Sequence, residues 1–177
     1  MDDCIEKYLK YIVIISIITF TIISFIFVND KVWDNISKTI PIVTILYFGY
    51  SRYIWRFNPF EKTPKLYKNY TGQFVSTYKN KKAKYDVNFK IKQTLFNINI
   101  SCETKESKSC SINANIYCEY GKYKLIYNYL NEPDNIYRHK SEIHYGTCIL
   151  LLDNNKNIKG KYYTDRNTMG DIKINKI

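Results

Sequence analysis

From Tyr11 to Val28 the chain runs eighteen residues without a charged side chain, most of them Ile, Phe or Val. A helix needs about 20 apolar residues to cross a bilayer core, so this run, extended to Leu9 and Asn29, predicts a spanning helix over about 9–29. A secretory leader would show a basic start, a shorter apolar run and a small-residue cleavage site. Here Asp2, Asp3 and Glu6 precede the run and no Ala-x-Ala-like site follows, so the helix is expected to stay in the mature chain.

A second apolar stretch, Ile40–Trp55, predicts another span over about 39–56. Pro41 suits a helix start, Arg52 can extend its charge to the headgroups, and Tyr47, Tyr50, Tyr53 and Trp55 suit the interface. The alternative is an amphipathic helix lying on the membrane surface. Between the two stretches Asp30, Lys31, Asp34 and Lys38 cancel, whereas Arg52, Arg56, Lys62, Lys65 and Lys68 follow the second against Glu61 alone. The positive-inside bias places the second group in the cytoplasm. Both termini are therefore expected there, with only a short stretch near Asn29–Ser37 outside.

After Phe57 the pattern changes to period two, clearest where Tyr85, Val87, Phe89 and Ile91 alternate with Asp86, Asn88, Lys90 and Lys92. Eight strands are predicted, over 72–79, 84–93, 95–102, 109–119, 122–130, 143–152, 159–166 and 170–177. Short connections and the lack of a helical pattern predict an eight-stranded antiparallel up-and-down β-barrel, with a β-sandwich as the alternative. The apolar face is single and the other is Lys and Asn, the reverse of a membrane barrel. The expected organisation is a transmembrane hairpin (1–57), a linker (58–71) and a cytoplasmic β domain (72–177).

A meander sorts the loops by end. The long ones, including 131–142, fall at the mouth far from the membrane, where a rigid scaffold presents binding residues. The net charge of +11 points to an anionic partner: phosphate, nucleic acid or lipid headgroups. The β domain has two arginines, Arg138 and Arg166, whose planar forks match a phosphodiester better than lysine does. In the segment GKYYTDRNTMG, Lys161 and Asp165 face water, so Tyr162, Thr164 and Arg166 face inward. Gly72 and Phe74 set an inward register that continues through Ser76 to Tyr78. Ser76, Tyr78, Arg138, Tyr162, Thr164 and Arg166 are thus the candidate ligand contacts, tyrosine supplying a ring that can stack on a base. Arg166 has a second reading, as a plug stacked on an aromatic ring, because a Gly-x-Phe start with a late arginine resembles lipocalin-like barrels. In the predicted meander Phe74 and Arg166 lie at opposite ends, which counts against it.

Catalytic and metal chemistry find no motif: no Gly-x-Ser-x-Gly elbow, no phosphate-binding glycine loop, no Cys-x-x-Cys pair, and no partner for His139 or His144 at zinc spacing. No cofactor is expected and the chain is expected not to be an enzyme. Cys110 and Cys118 are expected to share the inward face of one strand with Ile112, Ala114 and Ile116 as buried hydrophobes.

The double apolar run, the linker RFNPFEKTPKLYKNYTGQF (56–74) and the closing GKYYTDRNTMGDIKI (160–174) resemble the two-transmembrane β-barrel effectors associated with CD-NTases in bacterial cyclic-oligonucleotide antiphage signalling, CBASS. Phe74 stands where tryptophan is more usual in that family. The resemblance implies that the barrel binds a cyclic di- or oligonucleotide made by a partner nucleotidyltransferase. It further implies that the protein then assembles as a homo-oligomer whose helices disrupt the inner membrane, ending in growth arrest or death. A lipid-binding or structural membrane adaptor and a membrane-bound β-barrel enzyme are the other readings the residues leave open.

Overall fold

The computed structural model describes residues 2–76 and 83–177, with side chains described throughout except at residues 2–5, 7 and 8. The chain forms two compact units, Met1–Glu61 and Lys62–Ile177. The first contains helices α1 (Asp2–Ile26) and α2 (Val32–Arg52), then a 3₁₀ turn at Ile54–Phe57. Helix α1 is apolar around its circumference, leaving Ile14, Ile17, Ile18, Ile22 and Phe25 exposed. Its segment Leu9–Ile26 is the one among the described residues that is long and apolar enough to cross a membrane.

Helix α2 does not meet that standard, and it begins before the expected bound at 39. The helix starts at Val32, so Pro41 lies inside it and its opening turns carry Asp34, Asn35 and Lys38. These polar groups serve the hairpin turn. Lys38 pairs with Asp30 and lies 3.9 Å from the centre of the Phe27 ring, and the Asn35 amide donates to the Phe27 carbonyl at 3.4 Å. At the other end of the hairpin the Tyr11 and Tyr50 rings are 5.1 Å apart. There the Tyr11 hydroxyl donates to Glu61 at 3.1 Å, and the Asn58 amide donates to the Tyr50 hydroxyl at 2.7 Å.

The second unit is a closed barrel with its strands in sequence order, β1 (Asn69–Ser76), β2 (Ala83–Gln93), β3 (Ile98–Glu103), β4 (Ser107–Glu119), β5 (Lys122–Pro133), β6 (His144–Leu151), β7 (Asn157–Thr164) and β8 (Met169–Lys176). β8 returns to β1 in antiparallel register, Gly72 opposite Ile174. The up-and-down barrel is therefore correct and the sandwich is excluded. Inward residues form one core, in which Val87, Phe89, Leu125, Leu150, Ile158 and Ile174 are almost wholly buried.

Local hydrogen bonds shift several predicted boundaries. β3 starts at Ile98 because Thr94 closes a turn, its amide donating to the Asn97 carbonyl at 2.8 Å and its hydroxyl accepting from the Asn97 amide at 2.9 Å. The β4–β5 connection is the predicted two-residue hairpin, with Tyr120 (φ 49°) and Gly121 (φ 75°) both left-handed.

The end at which the chain enters the barrel is sealed by the segment leading into β1. The Gln93 side chain accepts from the Leu66 amide and donates to the Pro64 carbonyl, each at 2.9 Å. Tyr70, fully buried, donates its hydroxyl to the Asn155 carbonyl at 2.7 Å and accepts from the Tyr67 amide at 3.0 Å.

The cysteine expectation for β4 is overturned by a β-bulge. The β4–β5 register shifts between Ser111 and Asn113, which reverses parity along the strand. Ser109 therefore points inward and Cys110 outward, and Ile112 is expelled to 62% exposure. Ala114 and Ile116 recover the inward face, but Cys118 is exposed. The desolvated thiols are instead those of half-buried Cys102 and buried Cys148, each pushed up to about 12.

Candidate ligand-binding site

With the entry end sealed, the barrel is a cup, and its opposite mouth opens into a cavity of about 350 Å³. Every strand contributes to the wall. Phe74, Tyr85, Tyr127, Tyr129 and Tyr162 form an aromatic interior, and Thr104, Glu106, Asn131, Lys140, Ser141 and Arg166 bring polar and charged groups around it. Phe74 stacks on Tyr85 with ring centres 5.0 Å apart and meets Tyr162 edge-on at 5.6 Å. Burial raises the hydroxyl pKa of Tyr162, Tyr129 and Tyr127, so these rings stay neutral donors.

Arg166 does not end β7, as the alternation suggests, but lies in the turn that follows. The turn is closed by Thr164 and Thr168, whose hydroxyls are 2.6 Å apart, and by the left-handed Asn167 (φ 56°). Asp165 ties it to β6, its carboxylate accepting from the Tyr145 amide and its own amide donating to the Tyr145 carbonyl, both at 3.1 Å. With the turn pinned in this way, the Arg166 side chain crosses the mouth. Its Nη1 donates to Ser141 Oγ at 3.1 Å, and its Nη2 lies 3.3 Å from His144 Nε2.

The tautomer of His144 follows from this geometry. Nδ1 is 2.9 Å from the Glu142 carbonyl oxygen, which can only accept, so Nδ1 carries the proton and Nε2 accepts from Arg166. Burial, and then the nearby Arg166 charge, lower the pKa of His144 from 6.5 despite the Glu142 carbonyl bond and Asp165, which oppose this. The sign of the linkage is definite. Above about pH 6.5 the ring is neutral in folded and unfolded chains and adds no pH dependence. As the pH falls below 6.5 the unfolded chain takes up the proton first, and stability declines until the lowered folded pKa is passed. His144→Gln, which keeps an acceptor without titrating, is expected to flatten the melting temperature over that window.

Of the six sequence candidates, the structure brings Tyr162, Thr164 and Arg166 together on the cavity. Ser76 is buried and its hydroxyl bonds to Tyr162. Tyr78 lies outside the described residues. Arg138 is exposed on the long loop and does not line the cavity; Lys140 and Ser141 from that loop do. Phe74 and Arg166 line the same cavity rather than opposite ends. β1 begins at Asn69, three residues earlier than predicted, which carries Phe74 towards the mouth. His144, Tyr129 and Glu106 also line the cavity and are not among the sequence candidates.

Gly146 controls the position of Tyr129. A Cβ there would lie 2.4 Å from the Tyr129 ring tip and hydroxyl. Gly146→Ala is expected to push this ring into the cavity, weakening ligand binding severalfold while the melting temperature moves little, as titration and thermal denaturation of one preparation would read.

The fold and cavity define a small closed barrel of the kind that encloses side chains or one small ligand. Residues 61–176 match the family model described as Cap15, cyclic dinucleotide receptor domain. The chain is also 32% identical, over 185 aligned positions covering all of both proteins, to CD-NTase-associated protein 15 of Staphylococcus schleiferi. This chain belongs to the Cap15 family of CBASS effectors, the family its sequence resembles.

Proposed function

We propose that the barrel is the receptor for a cyclic oligonucleotide, and that its occupation switches a membrane-anchored antiphage effector from rest to assembly and disruption of the inner membrane. The observation that carries the reading is Arg166, held by Ser141 and His144 over a tyrosine-lined cup in a chain of this family. The guanidinium supplies fixed donors for a phosphodiester, and the rings supply faces for a base. At about 350 Å³ the cavity is at the small end of ligand pockets. A two-base ligand would seat part of itself in the cup and the rest among the rim loops. Binding without turnover is proposed, so the nucleotide should be recovered intact.

Helix α1 supplies the anchor, and the hairpin is proposed to insert as a whole, α2 shielding its polar first turns at the outer surface, with both termini cytoplasmic. The test is a thermal-shift screen of the full chain in detergent against cyclic di- and trinucleotides, since a ligand bound by the folded state alone raises the melting temperature. No shift with any of them, together with binding to liposomes, would favour a lipid-binding adaptor. Labelling of the exposed Cys110 from outside intact cells would overturn the topology.

A further inference from the structure

Among the described residues the cavity wall carries two cations, Lys140 and Arg166, and a single carboxylate, Glu106. A carboxylate repels the phosphates of an anionic ligand, so its presence in this cup calls for another partner. Its place in the ring sets it opposite the guanidinium. Arg166 lies in the β7–β8 turn and Glu106 in the β3–β4 turn, four strands apart in either direction around a closed ring of eight. The two turns therefore face each other across the mouth.

The β3–β4 turn holds this position. The Thr104 hydroxyl accepts from the Glu106 and Ser107 amides at 3.2 and 3.0 Å, and the Thr104 amide donates to the Ser107 carbonyl at 2.9 Å. From the end of β5 the Asp134 amide donates to the Glu106 carbonyl at 3.0 Å. The main chain is thereby fixed on both sides, whereas no hydrogen bond or ion pair engages the Glu106 carboxylate among the described residues. Glu103 at the same corner differs, being paired with Lys90 at 3.7 Å and Lys108 at 3.2 Å.

A carboxylate can only accept, and its two oxygens lie side by side. The matching partner is a pair of parallel N–H donors, and charge-assisted pairs of this kind are the strong ones. Of the bases, guanine alone presents two adjacent N–H donors on its Watson–Crick edge, at N1 and N2. Adenine and cytosine each present one amino group beside a ring-nitrogen lone pair, which a carboxylate repels, and uracil sets one N–H between two carbonyls. We propose that Glu106 is the base-reading residue of the cup, selecting a guanine-containing cyclic dinucleotide by accepting from its N1 and N2 donors while Arg166, across the mouth, takes a phosphodiester. The inference rests on the receptor reading and adds to it the class of base.

Isothermal titration of the full chain in detergent against cyclic di-GMP, cyclic GMP–AMP and cyclic di-AMP tests it. At least one guanine ligand should bind about tenfold or more tightly than cyclic di-AMP, the discrimination that a good bidentate pair gives. Glu106→Gln keeps the size of the side chain but sets one acceptor beside one donor, the pattern glutamine uses on adenine. It should weaken the preferred guanine ligand about tenfold while leaving cyclic di-AMP unchanged or tighter. The melting temperature of the empty chain should not move, since no bond of the fold is lost. All three ligands are titrated into one preparation, so the ratio of their affinities does not depend on the folded fraction. Cyclic di-AMP binding as tightly as both guanine ligands overturns the inference and leaves the receptor reading standing. An equal change for all three ligands in Glu106→Gln shows that the carboxylate acts through its charge alone, and overturns it as well. Binding of none of the three defeats the receptor reading, and the inference with it.

Discussion

Arg166→Ala is expected to raise the dissociation constant for a cyclic dinucleotide between about tenfold and a hundredfold, with the barrel still folded. A hydrogen bond to a charged partner contributes about 1.5–3 kcal/mol, and each 1.4 kcal/mol is about a factor of ten. The guanidinium is positioned rather than flexible, since Asp165 pins its turn to β6 and Ser141 and His144 hold its two terminal nitrogens. Little of the binding energy is then spent on ordering it. Arg166→Lys should rescue in part, because it restores the charge without the fork. The competing account makes Arg166 a structural closure of the mouth. On that account the alanine variant lowers the melting temperature of the empty barrel and changes affinity only through that loss. Isothermal titration and thermal denaturation of the same variant separate the two, and an unfolded Arg166→Ala barrel would defeat the assignment.

Gly72→Ala is expected to cause a large loss of barrel stability. Gly72 pairs with Ile174 of β8 on one side and Val87 of β2 on the other, where the sheet closes on itself. A Cβ at this position would lie 2.0 Å from the Lys173 carbonyl oxygen and 2.7 Å from the Ile174 Cα. These are main-chain atoms, so relief requires the β1–β8 ladder to separate. Alanine ordinarily gains about 0.4–1 kcal/mol over glycine by restricting the unfolded chain. Overpacking of a well-packed site costs about 1–3 kcal/mol and sometimes more, and here it wins. At roughly 4 °C per kcal/mol for a domain of this size, the melting temperature should fall by up to about 10 °C. Gly146→Ala is the internal comparison, because its added methyl meets the far end of the Tyr129 side chain instead of backbone. Equal shifts for the two variants would show that main-chain closure is not the cause.

The helical unit and the barrel differ in how much of each could be read from the residues. The eighteen uncharged residues from Tyr11 to Val28 dictate an apolar helix whatever surrounds them. The period-two alternation of Tyr85–Ile91 dictates a half-buried strand in the same way, because side-chain direction is fixed by the local backbone. α2 was harder: Ile40–Trp55 carries the apolar signal, yet the helix begins eight residues earlier at Val32, where polar residues serve the hairpin turn. Hydropathy cannot locate an end set by the neighbouring chain.

The eight strands, their order and, outside β4, their inward faces were determined by the sequence, because alternation and short connections are local properties that survive without knowledge of partners. That Tyr162 and Thr164 face inward, and that the long loop 131–142 shares a mouth with Arg166, followed from the same counting. Only the tertiary structure decided the rest. The bulge at Ile112 exchanges inward and outward residues along β4, and its cause is the register against β5, which no alternation within β4 reveals. Closure through Gly72 and Ile174 joins residues a hundred positions apart. Neutral His144 becomes the acceptor that orients Arg166 because two separate loops fold over one opening, and a hydrogen bond between distant segments leaves no trace in the periodicity of either.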